Sequence, residues 1–521
     1  MTNKIVFLYP TYDPDNPNPD FASDKMRKQP IGVFALASYV RSIGYDVVLL
    51  DGRLFHKKVM HQKIIDECRD AFAVGFSVMT CQIQQAYDYS KMLKKLYPDL
   101  WVIWGGIHPT LFPEQCIKPD FVDFVVNGEG EYCVEQLLRM LKKNDTKSWL
   151  TIGLIDNLVW ENPLGLIFIN PLGKPIDINE LPDPDYSMIP MKVYMEGPFW
   201  NYFDYEVERL FDICTSRGCP YKCTFCATTL PAFSTWRALT AERVNSLIDL
   251  AVTKFNAKHI WFTDDLFFVS KKRAVAIMEH IIDKKYDITW EALTTINLFK
   301  NILTDDVLAL MKKSGGIVLG MGAESGSDRI LKIINKPQQT RETIMYAMKQ
   351  CNKHGIIPKP SFLTGIPGET HDEAKETIKL IADIAEVCPK TSFYVPSVFR
   401  PYPGTALYEE CIKLGFKEPE TLEAWLKYEF HDNYFIKPKD LPWIKDPGFH
   451  INIPYVTYNY LHYNLFGDKK NKPISRKIAG RLANLRIKRD IWAFPYEYKI
   501  TRMKKNLEKI PLFNKLVRLV T

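Results

Sequence analysis

The chain of 521 residues is 46% hydrophobic and 13% aromatic, which is enough apolar material for large packed cores and excludes global disorder. Its length predicts about three domains. Eleven cysteines, an odd and mostly scattered number, argue against a disulfide scaffold and for a reducing compartment. The net charge of +7 is uneven, because residues 468–521 hold sixteen Lys and Arg but only four Asp and Glu, a difference of +12.

No targeting or membrane-spanning segment is predicted. The opening residues MTNKIVFLYP lack the successive basic, apolar and small-residue regions of a signal peptide. No uncharged apolar stretch reaches the ~18–20 residues that cross a bilayer. We therefore expect a cytoplasmic protein.

Five apolar runs within residues 1–150 predict the strands of a doubly wound α/β sheet. They read KIVFLYP, YDVVLLDGR, FAVGFSVMT, LWVIWGGIH and VDFVVNGEGE, with helical segments such as GVFALASYVRSIG between them. The ligand site of such a sheet lies beyond the carboxyl ends of its strands. The candidate residues there are Ser77, Thr80, Gly105, Gly106, His108, Gly128, Glu129 and Gly130. A generic nucleotide-binding or response-regulator-like module is one interpretation, but GxGxxG after the first strand and GxxxxGK[ST] are both absent.

The stretch CTSRGCPYKCTFC, residues 214–226, concentrates four of the eleven cysteines. Cys219, Cys223 and Cys226 have the spacing C-x3-C-x2-C, whereas Cys214 ends the apolar run RLFDIC, which predicts a strand. A structural zinc site normally has four protein ligands, and no second CxxC or HxxxH follows. Three thiolates in one loop favour a [4Fe–4S] cluster with one iron open to another ligand, with zinc or unliganded cysteines as the alternatives.

The strand before the cysteines and five apolar runs after them predict a partial (β/α)6 barrel over residues 206–410. The five runs read HIWFTDD, DITWEALTTI, GIVLGMGAESG, KPSFLTGIPGET and TSFYVPSVFRPYPGT. Residues 151–205 are predicted to be a linker, and residues 411–521 a mainly helical, basic extension. The polar candidates at the strand ends are Asp264, Asp265, Glu324 and the turn Gly365–Thr370. Ordinary helix N-capping is the alternative explanation of each acid.

The segment RGCPYKCTFC resembles the signature of the radical S-adenosylmethionine (SAM) superfamily. The resemblance implies that the open iron chelates SAM and that reductive cleavage of SAM yields a 5′-deoxyadenosyl radical. The cluster ligands that it implies are Cys219, Cys223 and Cys226. The SAM contacts that it implies are Asp264 and Asp265 near the methionyl amine, Glu324 near the ribose, and Gly365, Pro367 and Gly368 behind the adenine.

SVMT, GGIHPT and GEGE, in this order ahead of the cysteines, resemble the cobalamin-binding domain of cobalamin-dependent radical SAM enzymes. The eight residues named above, which lie at the ends of the third, fourth and fifth of these runs, are the implied cobalamin contacts. Many cobalamin domains bind cobalt through the histidine of a D-x-H-x-x-G motif, which is absent here. His56 lacks that spacing and His108 lies in a different loop, so we expect His108 to be a hydrogen-bonding residue. We expect cobalamin with its nucleotide tail in the sheet and no histidine below the cobalt.

These cofactors imply methyl transfer to an unactivated carbon of a small-molecule or lipid-like substrate. A non-methylating radical reaction, such as ring formation or oxidation, is the alternative among enzymes. A cobalamin-binding regulatory module is the alternative outside enzymes, and the intact cysteine and SAM motifs disfavour it. The family also implies anaerobic chemistry and an electron donor such as flavodoxin or ferredoxin.

The basic tail has apolar residues at helical spacing, as in ISRKIAGRLANLRIKRDIWAF. Packing against the barrel is one interpretation. Peripheral contact with the inner face of a membrane is another, supported by Trp492, Phe494, Tyr496 and Tyr498. No base-reading motif or aromatic platform supports nucleic acid. The tail loosely resembles the C-termini of family members such as hopanoid methylases and the anaerobic magnesium-protoporphyrin cyclase.

Overall fold

An N-terminal α/β domain, a barrel-like domain and a group of C-terminal helices follow one another along the chain. The computed structural model describes residues 2–11, 28–142, 149–197, 199–336, 338–426, 438–465 and 474–492. Phe494, Tyr496 and Tyr498, together with the last predicted helical segment of the tail, lie outside the described residues.

The N-terminal domain is built on a seven-stranded sheet. Its strands are β1 (Lys4–Tyr9), β2 (Asp46–Asp51), β3 (Ala73–Ser77), β4 (Trp101–Gly105), β5 (Phe124–Val126), β6 (Leu158–Glu161) and β7 (Ile167–Ile169). The order is β2-β1-β3-β4-β5-β6-β7, and the first five strands run parallel. The α/β sheet of five parallel strands that the sequence predicts is therefore confirmed.

The last two strands of this sheet fall in residues 151–205, which the sequence analysis predicts to be a linker. β6 pairs antiparallel with β5, and β7 pairs antiparallel with β6. Leu158, Val159 and Trp160 are buried in the sheet, so this part of the segment belongs to the domain. β6 is only four residues long, and its apolar run LVW lies among Asn, Pro and Gly residues, which conceals the strand in the sequence.

Helices cover both faces of the sheet, as in doubly wound folds. They are α1 (Ile31–Ser42), α2 (Lys57–Cys68), α3 (Ile83–Leu96), α4 (Ile107–Leu111), α5 (Pro113–Ile117), α6 (Glu131–Lys142) and α7 (Trp149–Ile152). One core contains Met60 and Leu93 from α2 and α3, and the other contains Val40 and Leu137 from α1 and α6. Each parallel strand is thus buried on two sides, which explains its continuous apolar sequence.

A short helix and a hairpin, α8 (Met191–Met195), β8 (Asn201–Tyr202) and β9 (Tyr205–Glu206), lead into the second domain. The strands of that domain are β10 (Leu210–Ile213), β11 (Ser216–Arg217), β12 (Arg237–Ala238), β13 (His259–Phe262), β14 (Thr289–Thr294), β15 (Gly316–Glu324), β16 (Ile357–Thr364) and β17 (Ser397–Val398). The main sheet has the order β10-β13-β14-β15-β16-β17, and all its pairs are parallel. The predicted partial barrel is confirmed.

Helices surround the outer face of the barrel sheet. They are α9 (Ala241–Thr253), α10 (Lys271–Asp283), α11 (Asp305–Lys313), α12 (Asp328–Ile333), α13 (Arg341–Lys353), α14 (His371–Val387) and α15 (Ala406–Lys413). Phe211, Phe262 and Trp290 of the strands pack with these helices in one large core. On the inner face, Tyr202 of the β8–β9 hairpin packs against Leu210, so the hairpin closes the end where the strands begin.

The C-terminal helices join the two domains. They are α16 (Leu422–Leu426), α17 (Pro447–Asn464) and α18 (Ile474–Arg489). Trp425 of α16 is buried in a core of the N-terminal domain, and its indole N–H donates to Gln115 Oε1 at 3.0 Å. Phe449 and Val456 of α17 pack in the barrel core. Among the described helices, none is long and apolar enough to span a membrane.

Candidate active site

A cavity of about 630 Å³ lies between the two domains. On one side is the sheet edge, by which we mean the loops that follow β3, β4 and β5. On the other side are the ends of β10 and β13 and part of the cysteine loop, residues 214–226. Apolar side chains such as Phe34, Ile103 and Val126 contribute to the lining. Part of the predicted ligand edge of each domain therefore faces one cavity. The cysteines Cys219, Cys223 and Cys226, together with Glu324 and the turn Gly365–Thr370, are not in its lining.

Five small residues among the eight candidate cobalamin contacts belong to the lining of this cavity. They are Ser77, Gly105, Gly106, Gly128 and Gly130. Gly106 has φ +97°, and a Cβ atom there would lie 2.7 Å from the backbone nitrogen of Val78. Only glycine therefore allows the loops after β3 and β4 to approach each other while leaving the cavity open.

Thr80 and His108 lie behind that edge. The Thr80 hydroxyl and His108 Nδ1 are 3.2 Å apart, and the His108 ring meets Trp425 edge-on at 5.5 Å. The side chain of His108 is fully buried, and burial lowers the pKa of the imidazole to about 3. A neutral, packed imidazole at this place fits the expected hydrogen-bonding role.

The cysteine loop is held by its backbone. Gly218 has φ +80°, and a Cβ atom there would collide with the carbonyl oxygens of Phe233 and Thr235. Thr224 N–H and its hydroxyl donate to Ile334 O and Ile333 O, each at 3.2 Å. These bonds fix the loop against the C-terminal end of α12.

The three thiols of this loop suit a multinuclear iron cluster. Cys219, Cys223 and Cys226 are partly exposed and form no disulfide. Burial raises the pKa of Cys219 to about 11 and also raises that of Cys223, so metal binding there releases protons. Within the described ranges, no three His, Cys, Asp or Glu side chains converge on a single metal ion. A structural zinc site normally takes four protein ligands, whereas a [4Fe–4S] cluster with one iron open takes three thiolates, so the donor set fits the cluster better than zinc.

The structure separates the two predicted SAM carboxylates after β13. Asp264 is fully buried and accepts hydrogen bonds from the Thr215 N–H and hydroxyl and from the Ser216 N–H. Burial raises its pKa despite these bonds. Both of its oxygens are therefore occupied by the protein, and it supports the cysteine loop. Asp265 lines the cavity, where burial raises its pKa, and it alone of the pair is available to a ligand.

Glu324 ends β15 in a strained conformation. Its φ of +63° is unusual for a residue other than glycine, and such strain is common at functional sites. Its carboxylate pairs with Lys336 at 3.0 Å, and both side chains are buried. The Lys336 ammonium also donates to Gly322 O at 2.9 Å. Glu324 is thus oriented by a cation that the sequence analysis missed.

The predicted adenine turn after β16 is supported by the C-terminal region. Gly365 and Gly368 have φ of +77° and +80°, which favours glycine at both positions. The indole N–H of Trp443 donates to Gly365 O at 2.8 Å. Pro367 lies between the two glycines in the same turn. The residues before α17 therefore brace the turn from behind.

An ion-pair network joins the two domains beside the cavity, and the sequence analysis missed it. Arg217 pairs with Glu129 at 3.1 Å and with Glu131 at 2.6 Å, and Arg237 pairs with Glu129 at 2.7 Å. Burial raises the pKa of Glu129, but the two guanidinium groups outweigh it and lower that pKa overall. Ion pairs thus join the GEGE loop, residues 128–131, to Arg217, which lies two residues before Cys219. Glu129 lines the cavity, but its carboxylate is occupied by these arginines.

The comparisons with known proteins agree with this arrangement. A family model described as B12 binding domain matches residues 21–138, and one described as Radical SAM superfamily matches residues 213–381. Fold and site therefore define a cobalamin-binding radical SAM enzyme. An uncharacterized methyltransferase of Pyrococcus horikoshii, PH0819, is 31% identical over 74% of this chain and 78% of its own. The chain belongs to the cobalamin-dependent radical SAM methyltransferase family.

Two further similarities have wide coverage. The anaerobic magnesium-protoporphyrin IX monomethyl ester cyclase of Rubrivivax gelatinosus is 24% identical over 85% of this chain and 75% of its own. The solved structure of OxsB, a cobalamin-dependent S-adenosylmethionine radical enzyme with aqua-cobalamin bound, covers 98% of this chain and 81% of its own. Its TM-score is 0.66 at 18% identity, so the likeness is one of fold.

Proposed function

We propose that the protein methylates an unactivated carbon of a hydrophobic small molecule or lipid. The observation that carries this proposal is one cavity bounded by the sheet edge of the cobalamin domain and, in the radical SAM barrel, by the ends of β10 and β13 and part of the cysteine loop. A substrate in that cavity lies between the two cofactor sites. When bound, the cluster and SAM supply hydrogen abstraction from carbon, and cobalamin supplies the methyl group.

Each predicted site residue has a role in this proposal. Cys219, Cys223 and Cys226 hold the cluster, and Asp265 and Glu324 orient SAM against the turn at Gly365, Pro367 and Gly368. Asp264 stabilises the loop and does not contact SAM. Ser77, Gly105, Gly106, Gly128 and Gly130 receive cobalamin, whereas Thr80, His108 and Glu129 support the edge. The apolar lining keeps water from the reacting carbon.

A non-methylating radical reaction is the second candidate, because relatives such as that of Rubrivivax gelatinosus are described as cyclases. Deuterated SAM distinguishes methyl transfer from a non-methylating reaction. Extracts of a host that lacks the gene are incubated with the reconstituted protein, a low-potential reductant and SAM carrying a CD3 group. Mass spectrometry should find a product that has gained CD3. A product that is altered in mass but carries no deuterium would support cyclisation or oxidation instead.

The electron that cleaves SAM has to come from outside the chain, and we propose a flavodoxin or ferredoxin as its donor. Such carriers work at the low potentials that iron–sulfur clusters need. Reduced flavodoxin or ferredoxin should replace dithionite in forming 5′-deoxyadenosine. If neither carrier supports any formation while dithionite does, the electron partner belongs to another class.

We further propose that α18 rests on the inner face of an anionic membrane. Ile478, Leu482 and Leu485 are about half exposed and form one apolar stripe along the helix. Arg481 and Lys488 are exposed beside them, and each basic residue near an anionic surface contributes about 1 kcal/mol. Trp492 packs edge-on against Phe449 at 5.3 Å, so it supports the helix from the protein side.

Vesicle co-sedimentation tests the membrane contact. The full chain should sediment with anionic vesicles at low salt, and less so at high salt, where charges are screened. Leu482→Ser should weaken binding, whereas Leu154→Ser, at an exposed leucine of the N-terminal domain, should leave it unchanged. Equal sedimentation of the two variants, or none of the parent protein, would remove the membrane from the proposal.

A further inference from the structure

A threonine contacts both the cavity and one of the predicted cluster ligands. The hydroxyl oxygen of Thr228 lies 3.0 Å from Cys226 Sγ, which is within hydrogen-bonding distance. Thr228 also belongs to the lining of the cavity and is only partly buried. The cavity lining is thereby joined to a cluster ligand by a hydrogen bond.

The local backbone brings this hydroxyl to the sulfur. Residues Ala227–Thr229 form a short 3₁₀ helix that begins directly after Cys226. The Thr229 N–H donates to Cys226 O at 3.1 Å, so the chain turns back on the last of the three cysteines. The side chain of Thr228 then lies beside Cys226 Sγ. The contact is therefore a product of local backbone geometry.

The chemistry of the ligand determines which group donates. Between a thiol and a hydroxyl either group can be the donor, but a cysteine that binds a metal does so as a thiolate, which has no proton. Once Cys226 holds iron, its sulfur can only accept. The hydroxyl of Thr228 then donates to it, and hydrogen bonds to a charged acceptor are stronger than those between neutral groups.

The next residue has the same side chain and a different partner. Thr229 donates its hydroxyl to Cys226 O at 2.7 Å. Two adjacent threonines therefore bond to two atoms of one cysteine, Thr228 to the sulfur and Thr229 to the backbone oxygen. The sulfur is the iron ligand and the backbone oxygen is not, so the two hydroxyl groups have different effects on a cluster.

We propose that Thr228 raises the reduction potential of the cluster through its hydrogen bond to Cys226. Reduction adds one negative charge, which is shared with the thiolate ligands. A hydrogen bond donated to a thiolate therefore stabilises the reduced form more than the oxidised form. Thr228 has no charge of its own and acts through Cys226. Without its hydroxyl, the donor of the electron that cleaves SAM would need a lower potential.

This inference rests on the proposed function only for the assignment of Cys226 as a cluster ligand, and its test needs neither substrate nor methyl transfer. The midpoint potential is measured by a redox titration monitored by electron paramagnetic resonance. The full chain is loaded with cluster and cobalamin, and SAM is left out because it would re-oxidise the reduced cluster.

Thr228→Val removes the hydroxyl and keeps the shape of the side chain. Its midpoint potential should be lower by about 59 mV, which for a one-electron couple is a tenfold change in the ratio of reduced to oxidised cluster. Thr228→Ala should shift the potential in the same direction. Thr228→Ser keeps a hydroxyl and should have a potential close to that of the parent protein.

Thr229→Val is the matched control. It makes the same change in the adjacent residue, removes the bond to Cys226 O and leaves the bond to Cys226 Sγ in place. Its midpoint potential should equal that of the parent protein. The iron content of every variant is measured to show that the cluster is complete.

Several results would overturn the inference. One is a potential that is equal in Thr228→Val and the parent protein. Another is an equally large fall in Thr229→Val or Thr228→Ser, which would assign the effect to the shape of the loop and not to the hydroxyl. If Thr228→Val and Thr228→Ala both bind no iron, the hydroxyl is needed for cluster assembly and does not set the potential.

The inference and the proposed function fail separately. A parent protein that holds no cluster would refute the assignment of the cysteines and with it the inference. Failure of CD3 transfer would leave the measured potentials unchanged.

Discussion

The cysteine loop and the sheet edge face each other across one cavity, yet they are built in different ways. The loop is local: three thiols lie within eight residues, and the Thr224 backbone fixes them to α12. The sheet edge is assembled from loops after three strands, and Gly106 lets two of them approach each other. A local site tolerates changes elsewhere but depends on each of its ligands. An assembled site depends on backbone geometry.

The largest effect should follow from removing the thiols. With Cys219, Cys223 and Cys226 all replaced by Ala, the reconstituted protein should hold no cluster iron and form no 5′-deoxyadenosine, because Cys214, the one thiol left in the loop, cannot replace three thiolate ligands. Cobalamin binding, measured by visible absorption, should survive because it belongs to the other domain. Retained iron with SAM cleavage would refute the assignment of the cysteines.

The next largest effect concerns Gly106→Ala. The added methyl meets the Val78 backbone, so the two loops should separate at a cost of about 1–3 kcal/mol and cobalamin affinity should fall about tenfold or more. Iron content should stay normal.

Gly44→Ala is the matched control for that substitution. Gly44 has φ +96°, nearly the same as Gly106, but an added methyl there meets no atom within 4 Å. It should lower the free energy of unfolding by about 1–2 kcal/mol through backbone strain and leave cobalamin affinity unchanged. An equal loss of cobalamin affinity in the two variants would show that backbone strain, and not the contact between the two loops, lowers the affinity.

A smaller effect should come from the ion pairs between the two regions. Arg217→Met leaves Glu131 buried without its cation, and we expect a loss of about 2–3 kcal/mol in the free energy of unfolding. Cobalamin and iron should both still bind, while 5′-deoxyadenosine forms more slowly because the loop is less well fixed. Arg139→Met breaks an exposed pair with Glu135 and should cost less than about 0.5 kcal/mol.

The smallest effect is on the pH dependence of stability. The pKa of Glu129 is lowered from 4.5 in the folded protein, so its pairing stabilises the fold above that value. This contribution is lost as the pH falls below 4.5 through the folded pKa. Urea unfolding across that range should show a shallower acid loss for Glu129→Gln than for the parent protein. Parallel profiles would mean that Glu129 is not responsible.

The contrast between a local site and an assembled site also explains which features can be predicted from the sequence. Cys219, Cys223 and Cys226 are visible because their spacing is itself the site, and the strands are visible because burial on both faces makes them continuously apolar. Arg217 and Glu131 are 86 residues apart, and Trp425 is 310 residues from Gln115. No local pattern marks such pairs, because only the packing of the domains creates them.

The two aspartates after β13 show a further limit. Asp264 and Asp265 are adjacent and chemically identical, and a motif assigns both to SAM. The structure gives Asp264 three hydrogen bonds from Thr215 and Ser216 and leaves Asp265 at the cavity. Side chains of neighbouring residues at a strand end point in different directions, and the sequence alone does not state which one faces the ligand.

The central claim is that the two regions hold their cofactors at one cavity. Electron paramagnetic resonance of the protein loaded with cluster and cob(II)alamin, without SAM and with the cluster reduced, tests it most directly, because two paramagnetic centres that are close alter each other's relaxation. The cobalt signal should relax faster when the reduced cluster is present than in the triple cysteine variant, which retains cobalamin alone. Identical relaxation in the two proteins would place the cofactors far apart and contradict the account.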